Sequence, residues 1–145
     1  MTAAATDFES MLREAISQAA EKASGANEDL IRIASEAADA VSKVTQEAAT
    51  LELVPIDVDE DERATYQLQL RRNKSAAPAS DLGVFRLSIG GYPIDRWPSR
   101  SGWEAAPETP ERQHSNVDDL QGNFKWMLSK PDSKLVVLVN SLLRR

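Results

Sequence analysis

The sequence predicts an α+β fold: a long N-terminal helix, or an αα-hairpin, followed by a small antiparallel β-meander and two short C-terminal helices. Three observations lead there. An apolar stripe of helical period fills the first third, strictly alternating segments separated by turn residues fill the middle, and two capped segments of helical period close the chain. The expected organisation is a helical arm over residues 1–50 and a small α+β domain over 51–145.

In the arm, Phe8, Leu12, Ala15, Ala19, Ala23, Ala26, Leu30, Ile33, Ala37, Val41, Val44, Ala48 and Leu51 follow one another at steps of three or four. The mean step is about 3.6, the period of a straight α-helix. Thr6-Asp7-Phe8-Glu9 reads as a capping box that starts it. Ser24-Gly25-Ala26-Asn27-Glu28-Asp29 then reads as a helix stop followed by a start, with Gly25 at the end of one helix and Asn27 capping the next. The competing reading is one unbroken helix, favoured because the stripe keeps its phase across Gly25. Such a rod would be roughly 65 Å long, against a diameter of roughly 40 Å for a compact chain of this size. It would overhang its own body and need another chain to cover it. Alanine buries little area, so Phe8, Leu12, Ile16, Leu30, Ile33, Val41 and Val44 are the expected oligomerisation residues.

Residues 51–58 read as a strand with Pro55 at an edge or bulge, 59–62 as an acidic turn, and Thr65 to Arg71 as a second strand alternating through Tyr66, Leu68 and Leu70. Residues 73–81 read as loop. Phe85 to Ile89, Gly90-Gly91 and Tyr92 to Trp97 form the pattern of a two-residue hairpin. That register opposes Ile89 to Tyr92, Leu87 to Ile94 and Phe85 to Arg96 on one face. It sets Arg86 against Asp95 on the other, an attractive cross-strand pair. A meander of three or four strands results. Residues 98–115 have no period, and long ordered loops are often functional. Ser115-Asn116-Val117-Asp118 caps a helix whose core face is Val117, Leu120, Phe124, Met127 and Leu128. Pro131 suits the first turn of a last helix with Leu135, Val136, Val139, Leu142 and Leu143 inward, although 135–139 could instead be a strand.

The charge balance narrows the functional classes. Net charge is −6 and the pI about 4.8, which argues against general binding of nucleic acid or anionic membranes. Within that acidic chain, residues 63–103 carry 7 basic and 2 acidic side chains, a local basic patch. With no cysteine, disulfides, thiol catalysis and thiolate metal sites are excluded. The first residues lack the basic and apolar regions of a secretory leader, so a cytoplasmic protein is expected.

Candidate chemistry is sparse. Asp57, Asp59 and Asp61 have the opening spacing of a calcium loop, but Glu62 stands where glycine is required and Leu68 where a bidentate glutamate is required. His114 is the only imidazole, and its neighbours Glu111, Ser115 and Asp118 are strung along one helix entry rather than converging from separate elements. Gly90-Gly91 lacks the lysine and following helix of a phosphate loop. The last helix is too apolar to read base edges. No metal, cofactor or catalytic residue is therefore expected. One constellation stands out: Arg96, Trp97, Arg100 and Trp103, leaving a strand together. They would serve as partner-binding anchors, as a clamp for an anionic planar ligand, or as a cap in which the tryptophans fold back over the sheet end. The expectation is a non-enzymatic interaction or regulatory protein that self-associates through its arm and binds a protein partner. The alternative is an oligomeric binder of a nucleotide-like or other anionic small molecule.

Overall fold

The computed structural model describes residues 3–56, 64–88, 90–100 and 109–144. The order of elements is α1 (Ala3–Val44), β1 (Ala49–Ile56), β2 (Thr65–Arg72), β3 (Ser80–Ser88), β4 (Gly91–Trp97), β5 (Arg112–His114), α2 (Val117–Ser129) and α3 (Lys134–Leu143). The α+β class is as predicted. The strands form one antiparallel sheet in the order β1-β2-β3-β4-β5, an uninterrupted meander.

The first helix is a single rod of 42 residues, roughly 63 Å long at 1.5 Å per residue. It does not turn back at Gly25. The residues that resemble a stop and a start are used sideways instead: Tyr66 donates its hydroxyl to Asn27 Oδ1 at 2.5 Å, and Tyr92 donates to Asp29 Oδ2 at 2.9 Å. Anchoring to the sheet on both sides, together with burial of Ala26 and Leu30, outweighs the roughly 1 kcal/mol helical cost of Gly25. The helix also begins before Thr6, so the capping box lies inside it. At the other end it stops at Val44 rather than running on to about residue 50. Thr45 Oγ1 donates to Val41 O and accepts from Ala49 N, and Gln46 and Glu47 turn the chain through left-handed φ values of 53° and 66°. Leu51, which closes the helical stripe, lies in β1, in keeping with the strand read from residue 51 onward.

One face of the sheet carries Leu51, Leu68, Leu70, Phe85, Leu87 and Ile94 against Ala26, Leu30, Ile33, Ala37 and Val41 of α1 and Leu120, Phe124 and Met127 of α2, all buried in one core. The hairpin has the expected pairs Phe85↔Arg96, Arg86↔Asp95 and Leu87↔Ile94. It closes differently: the register shifts after Leu87 and Ser88 faces Gly91, while Ile89 is outside the described residues. Gly91 has φ +95°, and a Cβ there would lie 2.5 Å from the Lys22 carbonyl oxygen and 2.9 Å from Ala26 Cβ. Glycine is required because the rod crosses the hairpin backbone at contact distance.

Two further expectations are corrected. The sheet has a fifth strand, β5, inside the stretch read as aperiodic loop. Pro131 precedes α3 rather than opening it, since Ser133 is the N-cap, its hydroxyl accepting from Val136 N. Residues 135–139 are helix, not strand. In α2 the N-cap is Asn116, which accepts from Asp119 N at 2.9 Å. Leu128 of the expected core face is 38% exposed, while Asn123 is buried in its stead.

Candidate functional site

The expected oligomerisation residues divide into two groups. Leu30, Ile33 and Val41 are buried against their own sheet and are unavailable to another chain. Phe8, Leu12 and Ile16 are 77%, 62% and 60% exposed, with Met11 beside them at 61%. At about 100° per residue, Phe8, Leu12, Ala15 and Ala19 lie on the side of the rod that Ala26, Leu30 and Ile33 turn toward the sheet. The sheet simply ends at the β3–β4 turn, against Lys22. Upstream of it the apolar face continues with nothing over it among the described residues. Val44 is also exposed, at 60%, but at the other end of the rod. There it borders an apolar groove of about 400 Å³ formed with Leu128, Leu135, Val136, Val139 and Leu143.

The Arg/Trp constellation is split by strand geometry. Arg96 and Trp97 are successive in β4 and so point to opposite faces. Trp97 is buried on the face away from the helices, where its indole N–H donates to Thr109 O at 3.2 Å and the Arg86 guanidinium lies 4.8 Å from its ring. Arg86 there pairs with Asp95 at 3.0 Å, both side chains under 10% exposed, and Gln113 Nε2 donates to Asp95 Oδ1 at 2.8 Å. Arg100 is exposed, its backbone N–H donating to Asp81. Trp103 lies outside the described residues, as do Asp57, Asp59 and Asp61. Among the described residues no group of three or more His, Cys, Asp or Glu could hold a metal, and no helix is long and apolar enough to cross a membrane.

Arg96 points the other way, beneath α2, with its guanidinium 6.0 Å from the Phe85 ring. Directly across β4 and β5 stands Arg112, a second cation on the same face. Together with Glu111, Asn123 and Trp126 they line a cleft of about 360 Å³. Buried polar atoms collect here without hydrogen-bond partners: Arg96 Nε and both the nitrogen and the oxygen of the Asn123 side chain. Each such group costs about 1–3 kcal/mol when left unpaired. Burial lowers the affinity of Arg96 for its proton, as does the charge of Arg112, whereas Glu111 raises it.

Two register positions from Arg112, His114 is 1% exposed and stacks on Phe85 with centroids 6.5 Å apart. Its Nδ1 lies 3.2 Å from Asp119 Oδ2, and its Nε2 has no partner. Burial pushes its pKa down, more than the Asp119 hydrogen bond pushes it up. Ser115 is exposed, and Asp119, not Asp118, is the carboxylate that His114 meets.

Sequence reasoning missed Asn123 and Arg112. The signal for Asn123 was present: it sits three residues after Leu120 and four before Met127, on the core phase of α2. A carboxamide at such a position must find partners or a ligand. For Arg112 there was none, because a three-residue strand carries too little alternation to read. Comparisons with protein-family models, with curated proteins and with solved structures find no match to this chain.

Proposed function

We propose that this is a non-enzymatic interaction protein that self-associates through the N-terminal half of α1. The observation that carries the reading is the uncovered run Phe8, Met11, Leu12 and Ile16 on a helix that projects beyond its own sheet. A second copy is the occupant that suits this face. Two arms laid antiparallel about Leu12 would set Phe8 against Ile16 and Leu12 against its own copy, and would bring the second copy's first helical residues up to Glu21, just short of the sheet. A parallel pair would instead drive both bodies into the same space, since each body lies on the side of the rod that the arm leaves open. The paired faces remove roughly 1,000 Å² from water, near the lower bound for a specific interface. The apolar groove beside Val44 lies roughly 30 Å farther along the rod, clear of the arm contact, and supports a role in binding a protein partner.

Sedimentation equilibrium tests the self-association. The wild-type chain is expected to dimerise by roughly 100 µM, and Leu12→Glu, an exposed substitution, is expected to be monomeric and folded. A wild-type monomer throughout that range would overturn the reading.

A further inference from the structure

We propose that the cleft between β4, β5 and α2 binds a small organic carboxylate that also carries a hydrogen-bond donor. Asn123 is 4% exposed, lines the cleft, and has neither its amide nitrogen nor its oxygen hydrogen-bonded. A surface asparagine would be satisfied by bulk water; one buried to this degree needs a partner held in the cleft. Arg96 adds an unpartnered Nε–H, and Arg112 sets a second guanidinium opposite it. Arg96 and Arg112 face one another with a single carboxylate, Glu111, on the cleft wall, so the lining keeps a net positive charge, and guanidinium N–H groups match a carboxylate geometrically.

The chemistry of the ligand follows from this inventory. Arg96 Nε–H, the Arg112 guanidinium and Asn123 Nδ2–H are donors, and two guanidinium groups against the one carboxylate of Glu111 make an anion the fitting acceptor. Asn123 Oδ1 is an acceptor, so the same molecule must also donate, through a hydroxyl or an amino group. Trp126, 45% exposed on the cleft wall, offers an apolar surface to the remainder. A volume of about 360 Å³ suits a metabolite rather than a macromolecule. This inference goes beyond the self-association reading and does not depend on it.

The test is a titration of the full-length protein followed by NMR of the Arg Nε–H and Asn side-chain amide resonances. The probes are malate, citrate, glutamate and salicylate, with succinate and inorganic phosphate as comparisons. At least one of the first four is expected to shift the Arg96 and Asn123 signals at submillimolar concentration. That probe should bind at least tenfold more weakly to Asn123→Leu, and likewise to Arg112→Ala, a change at an exposed residue that leaves the core intact. Succinate and phosphate should bind at least tenfold more weakly than the best donor-bearing probe. No shift with any of the four, or equal binding to both variants, would overturn the site. Phosphate or succinate binding as tightly would overturn the ligand chemistry.

Discussion

His114 illustrates how burial sets the behaviour of a single residue. Its imidazole is enclosed by Phe85 and the β5–α2 connection, with one nitrogen on Asp119, and its pKa lies below the usual value because desolvation outweighs that contact. In the unfolded chain it titrates near ~6.5. Between that value and the lower native one, the unfolded state holds more protons, so stability falls as pH drops, by at most about 1.4 kcal/mol per pH unit. Urea denaturation from pH 7.5 to 5.5 should therefore show a falling midpoint for the wild type and a flatter one for His114→Gln. A parallel pair of curves would mean that the imidazole takes up its proton equally in both states. A second contrast separates buried from exposed charge. Arg86→Ala leaves Asp95 buried on the neutral Gln113 amide without its guanidinium counter-charge and should cost about 3–5 kcal/mol. Arg71→Ala, which removes the exposed partner of Glu52, should cost less than ~1 kcal/mol by the same denaturation measurement.

Among the elements, the rod and the hairpin explain each other. Gly25 lies inside the helix with nothing within 4 Å of where a Cβ would stand, whereas Gly91 has the Lys22 carbonyl oxygen and the Ala26 methyl on top of it. Gly25→Ala should accordingly stabilise the protein by about 0.5–1 kcal/mol. Gly91→Ala should destabilise it by more than ~2 kcal/mol, because both the positive φ and the helix crossing are violated. Thermal denaturation of the two variants checks both signs; a loss of stability in Gly25→Ala would mean that a turn, not a helix, passes through that residue. The same elements show how far sequence can be read. The hairpin was legible because three pairs agreed at once, Leu87 to Ile94 and Phe85 to Arg96 on one face and Arg86 to Asp95 on the other. The rod was legible as a period but not as a choice, because Asn27 and Asp29 are good caps in isolation. Only Tyr66 and Tyr92, 39 and 63 residues away, recruit them sideways. The cleft was illegible for a related reason: Arg96 gains its meaning from Arg112 and Asn123, which come from a strand too short to detect and from a helix read for its apolar residues.

For the whole molecule, the central quantity is where the sheet ends along α1. Since Gly91 abuts Lys22, the arm upstream spans about 28 Å, and the partner arm would have that length to use before its N-terminus met the β3–β4 turn. This limit fixes the direction of pairing proposed above. With Leu12 at the two-fold axis, the bodies stand at opposite ends, and the two rods together extend roughly 95 Å between their Val44 ends. The apolar grooves beside Val44 then sit near the two poles. The chain has no native cysteine, so a single spin label introduced at the exposed Glu21→Cys reports the arrangement without background. Antiparallel arms put the two labels about 27 Å apart along the axis. Parallel arms would bring them to about 10 Å, the spacing of adjacent helices. A double electron–electron resonance distribution centred near the longer value is expected at a concentration where Leu12→Glu gives no dipolar signal. A short distance would require each body to swing clear of its own rod, breaking the Tyr66–Asn27 and Tyr92–Asp29 contacts that hold it there.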